Sequence, residues 1–317
     1  MAEELYLQHF VESQQLTLPL IDYLFQKADS LASGNHTRLQ GKTLACLFYE
    51  PSTRTRFSFE QAMLRMGGSS ISTENAGEFS SAVKGESLED TIRVMHHYAD
   101  CVVIRHDEEG AAALAATLSN VPIINGGDGK GQHPTQALLD IYTIQKELGR
   151  LKDFRIAMVG DLKNGRTVRS LAYLLGKFEG VEITFVSPKH SGIGNDIKAY
   201  LIRHNIAFLE EDNLNSVLQK MDIVYMTRAQ KERMSAEELQ TQARYEKDGK
   251  MFSITLNNFP LVRSDARILH PLPKINEIKL PISVENSDPR VAYFRQAKNA
   301  INIRMALLDL LMNGRKG

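Results

Sequence analysis

Glu50-Pro51-Ser52-Thr53-Arg54-Thr55-Arg56-Phe57-Ser58-Phe59-Glu60 is the stretch whose reading decides the fold. The apolar run Leu44 to Tyr49 leads into it, and Phe59, Met63 and Met66 follow on one helical face. Strand, turn and helix are therefore expected, with Ser52 to Thr55 at the helix N-terminus, where free N–H groups and the positive end of the dipole gather. The hydroxyls of Ser52, Thr53 and Thr55 share that turn with the guanidinium groups of Arg54 and Arg56. Donors in a cup, with forked cations beside it, suit a doubly charged phosphate. A plain helix cap accounts for one hydroxyl and leaves the arginines unexplained.

The same device recurs downstream. Cys101-Val102-Val103-Ile104-Arg105 reads as a buried strand ending on a cation, where open α/β sheets place ligands. Ile156 to Val159 is a strand, Gly160 to Thr167 its turn with Arg166 and Thr167 at the start of a helix, and Val168 to Phe178 the helix itself. Strand 222–226 runs into Thr227-Arg228-Ala229-Gln230. Around these lie an amphipathic helix within 15–33 capped by Thr17, strand 43–48, helix 53–66 closed by Gly67-Gly68, strand 69–73, helix 110–119 and strand 121–124. A glycine-rich turn from Asn125 then opens helix 134–148, with Pro134 in its first turn. In the second half come strands 181–186 and 206–209, helix 194–204, a short helix 213–219 and a closing helix 289–312. The expected fold is α/β, two similar domains, each a parallel sheet flanked by helices, joined by interdomain helices. The domains are 1–133, completed by helix 289–317, and 134–288.

Two segments read as loops. Residues 74–87 are polar and rich in small residues, and carry Lys84 as a mobile cation; residues 228–250 are densely charged, as in a solvated helix or loop. Loops of such length inside a compact domain are more often functional or disordered than idle. Ser87-Leu88-Glu89-Asp90 resembles a capping box. Ile268-Leu269-His270-Pro271-Leu272-Pro273 is too proline-rich for a central strand and reads as a tight turn, suited to a cis X–Pro bond.

Bulk properties narrow the chemistry. The 317 residues favour two domains, and the formal net charge of zero argues against nucleic acid or an anionic membrane as partner. Met1-Ala2-Glu3-Glu4 has no signal-peptide character and no apolar run spans a bilayer, so a cytoplasmic protein is expected. Cys46 and Cys101 read as small buried hydrophobes, not a disulfide or metal pair. Metal-ligand clusters, a P-loop, a dinucleotide fingerprint and a G-x-S-x-G elbow are all missing from the sequence. What recurs is a cation beside a hydroxyl: Arg54, Lys84, Arg105, Arg166 and Arg228. Two anionic small molecules, one per domain, would use them. Such a site works by holding reactants together and stabilising an oxyanion.

Ser52-Thr53-Arg54-Thr55, His133-Pro134-Thr135-Gln136 and His270-Pro271-Leu272-Pro273 resemble the three signature motifs of the aspartate and ornithine carbamoyltransferases, in order along nearly the whole chain. Lys84-Gly85-Glu86, Gly160-Asp161-Leu162 with Arg166-Thr167, and Thr227 to Arg233 resemble the catalytic chains of the aspartate branch. The resemblance implies transfer of the carbamoyl group of carbamoyl phosphate to the α-amine of L-aspartate, in pyrimidine synthesis, with no cofactor and no metal. It implies that Ser52, Thr53, Arg54 and Thr55 hold the phosphate and that Arg105 bridges phosphate and carbonyl oxygen. Thr55, Arg105 and His133 would stabilise the tetrahedral oxyanion. Gln136 and the backbone at Leu272 and Pro273 would take the carbamoyl amine. Arg166 and Thr167 would hold the α-carboxylate of aspartate, and Arg228 with Gln230 the β-carboxylate. Ser80, with Ser81 beside it, and Lys84 would reach in from the neighbouring subunit of a homotrimer with shared sites. A regulatory chain or a partner pyrimidine enzyme is left open.

Plainer readings stand beside these. His133 before a proline could be a helix cap, Arg105 could pair with Asp107 or Glu108, and Arg228, Lys231 and Arg233 could form a solvated face. His270 and Pro271 read as scaffold. The rival functions are a sister carbamoyltransferase with another amino acceptor, a non-catalytic homologue scaffolding a partner enzyme, and a sensor of organic phosphate. Arg228 speaks for a substrate with a second carboxylate, and the full set of cations speaks against a silent chain.

Overall fold

The structure, a computed structural model, describes residues 5–79, 81–247 and 252–314. The chain divides into two compact units: residues up to Tyr142 together with those from Lys298 onward, and Thr143–Ala297. The first unit carries α1 (Leu18–Leu31), β1 (Thr43–Phe48), α2 (Thr53–Arg65), β2 (Ser69–Glu74), α3 (Ala76–Phe79), α4 (Leu88–Met95), β3 (Cys101–His106), α5 (Ala111–Leu118) and β4 (Ile123–Asp128), then enters α6 (Pro134–Leu148). The second carries β5 (Arg155–Val159), α7 (Arg166–Leu175), β6 (Glu182–Val186), α8 (Asn195–Arg203), β7 (Ala207–Glu211), β8 (Ile223–Met226), α9 (Ala236–Lys247), β9 (Ile254–Thr255), β10 (Arg267–Leu269), β11 (Ile278–Lys279) and α10 (Ile282–Ser287). The closing helix, α11 (Tyr293–Asn313), begins in the second unit and ends in the first.

Each unit holds a parallel sheet, ordered β2-β1-β3-β4 in the first and β10-β8-β5-β6-β7 in the second. The central strands are continuous apolar runs because helices cover both faces. Leu44 to Phe48 are all buried, as are Ile156 to Val159 and Ile223 to Met226. A core of Val102, Ile104, Ile123, Ala112 and Ile92 lies in the first unit, and one of Val159, Val224, Met226, Ile268 and Phe259 in the second. The Thr17 hydroxyl caps α1 through the Leu20 N–H, and Gly67 turns at φ 83° after α2, where a side chain would meet the His36 carbonyl at 2.7 Å. Both cysteines are free and buried, and burial pushes both thiols up, so neither is a nucleophile.

Several expectations need correction. β4 does not stop at residue 124; it continues through Asn125-Gly126-Gly127 to Asp128. A side chain at Gly126 would sit 3.2 Å from the Ile104 carbonyl, so glycine lets the strand lie close to β3, with a register shift beside Arg105. Segment 74–87 contains α3 and a 3-10 turn over Ser81–Lys84, not an open loop. The short helix at 213–219 is only a 3-10 turn, Leu218–Lys220, and α7, which opens at Arg166, ends at Leu175 and not at Phe178. Strand β10 ends just before His270 and is tolerated beside the prolines because it is an edge strand. Among the described residues no helix is long and apolar enough to cross a membrane.

Candidate active site

In the first unit the strand order reverses between β1 and β3, and the crevice beyond their carboxyl ends is where open parallel sheets receive ligands. Phe48 stands in register with Arg105, and the Tyr49 N–H donates to the Arg105 carbonyl at 2.8 Å. The turn into α2 therefore leaves the sheet beside Arg105. Ser52 is the N-cap residue by position, yet its hydroxyl makes no capping hydrogen bond. The plain-cap reading fails at that point. Its N–H donates to Glu74 at 3.2 Å.

Thr55, in the first turn of α2, is buried with its hydroxyl 3.5 Å from His133 Nε2. His133 is itself buried just before α6, with Nδ1 3.3 Å from the Thr135 hydroxyl. Its ring nitrogens face the hydroxyls of Thr55 and Thr135. Gln136 donates from Nε2 to Asp140 at 2.8 Å. Arg105 pairs with Glu50 at 2.8 Å and donates to the Gly126 carbonyl at 3.3 Å. Glu50, across the strand ends, is thus a carboxylate partner of Arg105. Arg54 and Thr53 are exposed at the turn. Arg56 is engaged elsewhere: it pairs with Glu60 at 3.2 Å and Glu74 at 3.0 Å and donates to Ser72. One arginine of the opening stretch is therefore scaffold.

In the second unit the order reverses between β5 and β8, with Val159 in register with Met226. Gly160 leaves β5 at φ 120°, and a side chain there would lie 2.3 Å from the Thr227 carbonyl. Glycine lets the two strand ends close, and the Thr227 hydroxyl seals them by donating to the Val159 carbonyl at 2.8 Å. Asp161, buried, accepts from Asn164 N–H at 3.1 Å and from Gln230 N–H at 3.0 Å, tying both loops of the crevice together. Arg166 is buried at the first position of α7, and Thr167 follows it half-buried. A guanidinium at the positive end of a helix dipole is poor electrostatics unless an anion joins it. Arg228 chelates Glu232 through both terminal nitrogens. Burial is the largest single influence and pushes Glu232 up, but the hydrogen bond from Arg228, a backbone hydrogen bond and the charges of Arg228 and Arg233 together outweigh it and hold the carboxylate below its ordinary pKa.

The second unit also holds the turn after β10. Leu272 sits at φ 57° and the Leu272–Pro273 bond is cis, as the proline pattern suggested. Its N–H donates to His270 Nδ1 at 2.7 Å, so the proton of that ring lies on Nε2, which faces Glu277 at 2.8 Å. Glu277 further accepts from Ile275 N–H at 3.0 Å and Asn276 N–H at 2.9 Å. His270 is scaffold, as read. Lys84 is exposed at the end of its 3-10 turn, and Ser80 lies outside the described residues. Sequence reasoning missed the carboxylates that hold the cations and amides: Glu50, Asp140, Asp161, Glu232 and Glu277. Asp161 carried a local signal as the acidic residue of a glycine turn, and Asp140 and Glu232 carried one as the i+4 neighbours of Gln136 and Arg228. The partners of the rest depend on tertiary placement or on a carboxylate that a sequence lists among many. Among the described residues no group of three or more His, Cys, Asp or Glu could hold a metal ion.

A family model described as the carbamoyl-P binding domain of aspartate/ornithine carbamoyltransferase matches residues 8–146, and the Asp/Orn binding domain model matches 152–311. The chain belongs to the aspartate/ornithine carbamoyltransferase family. Within that family it is 49% identical over 313 residues to aspartate carbamoyltransferase 1, chloroplastic, of Pisum sativum, covering 97% of this chain and 79% of the relative. It is 47% identical over 284 residues to the aspartate carbamoyltransferase catalytic subunit of Methanocaldococcus jannaschii, covering 88% of each. The solved catalytic subunit of M. jannaschii aspartate transcarbamoylase superposes with a TM-score of 0.87 at 43% identity, covering 98% of this chain and 100% of that one. Aspartate transcarbamoylase of Trypanosoma cruzi, in complex with N-(phosphonacetyl)-L-aspartic acid, superposes at 0.88 with 36% identity, covering 98% of each chain. The carbamoyltransferase fold, two α/β units with parallel sheets, is the one expected from the motifs.

Proposed function

We propose that the chain is the catalytic chain of an aspartate carbamoyltransferase: it transfers the carbamoyl group of carbamoyl phosphate to L-aspartate, giving N-carbamoyl-L-aspartate and phosphate. The observation that carries this reading is a cationic crevice at the reversal point of each sheet, one with Thr55 against His133 and the other with Arg166 and Arg228. The first suits one phosphate and a carbonyl. The second suits a substrate with two carboxylates, which separates aspartate from the acceptors of sister enzymes.

In this reading the helix N-terminus at Ser52, Thr53, Arg54 and Thr55 binds the phosphate. Arg105 exchanges Glu50 for the phosphate and the carbonyl oxygen. Gln136 and the Leu272 carbonyl accept hydrogen bonds from the carbamoyl amine, with Pro273 shaping that turn. Arg166 and Thr167 bind the α-carboxylate, Arg228 and Gln230 the β-carboxylate. The α-amine of aspartate attacks the carbamoyl carbon, and the carbonyl oxygen gains negative charge. Thr55, Arg105 and His133 stabilise it, each donor contributing on the order of a hundredfold in rate. The bond from carbon to the phosphate oxygen breaks, and the departing phosphate takes the amine proton. The protein supplies position and charge, with no covalent intermediate.

The reading includes a homotrimer in which Ser80 and Lys84 complete a neighbour's site. Exposed Phe57, Leu64, Ile71 and Val83, on consecutive elements that lead to Lys84, support a subunit contact there. The methanogen relatives' name, catalytic subunit, supports a separate partner chain. Two free buried thiols suit a reducing compartment, and we place the reaction in the cytoplasm; plant relatives carry chloroplast names. The test is formation of carbamoyl-aspartate by the purified chain, with ornithine as control acceptor. Product from aspartate alone is expected. Product from ornithine, or from neither, would defeat the reading.

A further inference from the structure

Gln136 and Asp140 lie one turn apart on α6, the spacing that puts two side chains on one helical face. Asp140 is fully buried and accepts from Gln136 Nε2 at 2.8 Å. A carboxylate is acceptor-only, so it admits the amide in one sense: nitrogen toward Asp140, oxygen away. Gln136 without that neighbour would present either face, because amide oxygen and nitrogen are nearly the same size. Arg304, buried on α11, lies close enough to feel the charge of Asp140 and stacks on the Phe59 ring of α2 at 4.6 Å. Burial draws this guanidinium down to about 9, with Asp140 pulling the other way. A buried cation thus stands near the carboxylate that orients Gln136.

We infer that Asp140 is a positioning residue that makes Gln136 an obligate acceptor, so that the site selects an acyl phosphate bearing an N–H donor over one bearing a methyl group. The inference rests on the carbamoyl phosphate reading of this half-site and adds the origin of its preference for an amine. Ligand contact alone does not require it, since any acceptor at position 136 would serve.

The experiment compares carbamoyl phosphate with acetyl phosphate as donor to aspartate, in the native protein and in variants. Native protein that fails to carbamoylate aspartate would defeat the underlying reading. With native activity in hand, Asp140→Asn keeps the shape and lets the amide pair in either sense. Its KM for carbamoyl phosphate is expected to rise about tenfold, the effect of one mis-paired buried hydrogen bond. The preference for carbamoyl over acetyl phosphate should fall by a similar factor, with KM for aspartate within about twofold of native. In a Gln136→Ala background Asp140→Asn should add nothing. A folded Asp140→Asn protein with native KM and native preference would overturn the inference, as would an additive loss in the double variant.

Discussion

Glu277→Gln is the perturbation that probes most of the second unit's turn at once. The native carboxylate is 5% exposed and accepts three hydrogen bonds, from His270 Nε2 and from the N–H groups of Ile275 and Asn276. Glutamine keeps one acceptor oxygen. With that oxygen on His270 and Ile275, the new NH2 faces the Asn276 N–H, donor against donor. One buried donor left unsatisfied costs about 1–3 kcal/mol. The turn it supports holds Leu272 at φ 57°, a conformation that costs a non-glycine residue about 1–2 kcal/mol and persists only where surroundings enforce it. Thermal unfolding followed by calorimetry should therefore come roughly 2–10 °C lower than native. The Leu272 carbonyl would lose its fixed direction, so KM for carbamoyl phosphate should rise several-fold while KM for aspartate changes less. The pH dependence has a definite sign. Burial is the largest single influence and pushes Glu277 up, but the hydrogen bond and electrostatic attraction from His270 and the backbone hydrogen bonds together outweigh it and hold it below its ordinary value of 4.5. Its contribution is complete above that value and lost as pH falls through the lower folded pKa, and Glu277→Gln should flatten this acid limb of the stability profile. Native melting temperature, native KM and an unchanged acid limb in Glu277→Gln would refute the reasoning.

Three further outcomes are expected. Arg228→Ala should raise KM for aspartate at least about a hundredfold, and Arg228→Lys should not restore it, because a point charge cannot replace a two-pronged grip on a carboxylate; steady-state kinetics at saturating carbamoyl phosphate decide this. Thr55→Ala removes a donor 3.5 Å from His133 and should lower kcat on the order of a hundredfold with much smaller changes in KM, as initial rates with both substrates saturating will show. Lys84→Ala and Arg54→Ala should each be nearly inactive, yet mixtures that have exchanged subunits should regain activity, since some sites would then hold both native residues; no recovery after proven exchange would count against shared sites.

The parts of this molecule that sequence makes legible are those governed by local chemistry. The apolar runs Leu44–Phe48 and Ile156–Val159 are strands because sheets covered on both faces need continuous hydrophobicity. The turn at Ser52 and the start of α7 at Arg166 follow from hydroxyls, glycines and cations at strand ends. Less legible is what depends on neighbours distant in sequence. Gly126 reads as a turn residue until Ile104 is placed beside it, and then it becomes a strand residue at a close approach. β9 and β11 pair only two residues each, too few for a periodicity to register. Arg56 looked like a ligand because composition does not reveal Glu74. Glu50 sat inside the decisive stretch, but its bond to Arg105 needs the register of β1 on β3. Motif residues announce the cations of a site; a local spacing can announce a partner such as Glu232 for Arg228, but tertiary structure is needed to find Glu50 for Arg105 and Glu74 for Arg56.

The central claim is that cations at two sheet reversals hold two acidic metabolites which react with each other directly. A crystal structure of this chain with N-(phosphonacetyl)-L-aspartate tests it most directly. The phosphonate should lie on the Ser52–Thr55 turn with Arg105 turned to it from Glu50, and the two carboxylates on Arg166 and Arg228. A phosphonate bound elsewhere, with the Ser52 turn carrying no oxyanion and Arg105 still on Glu50, would contradict it.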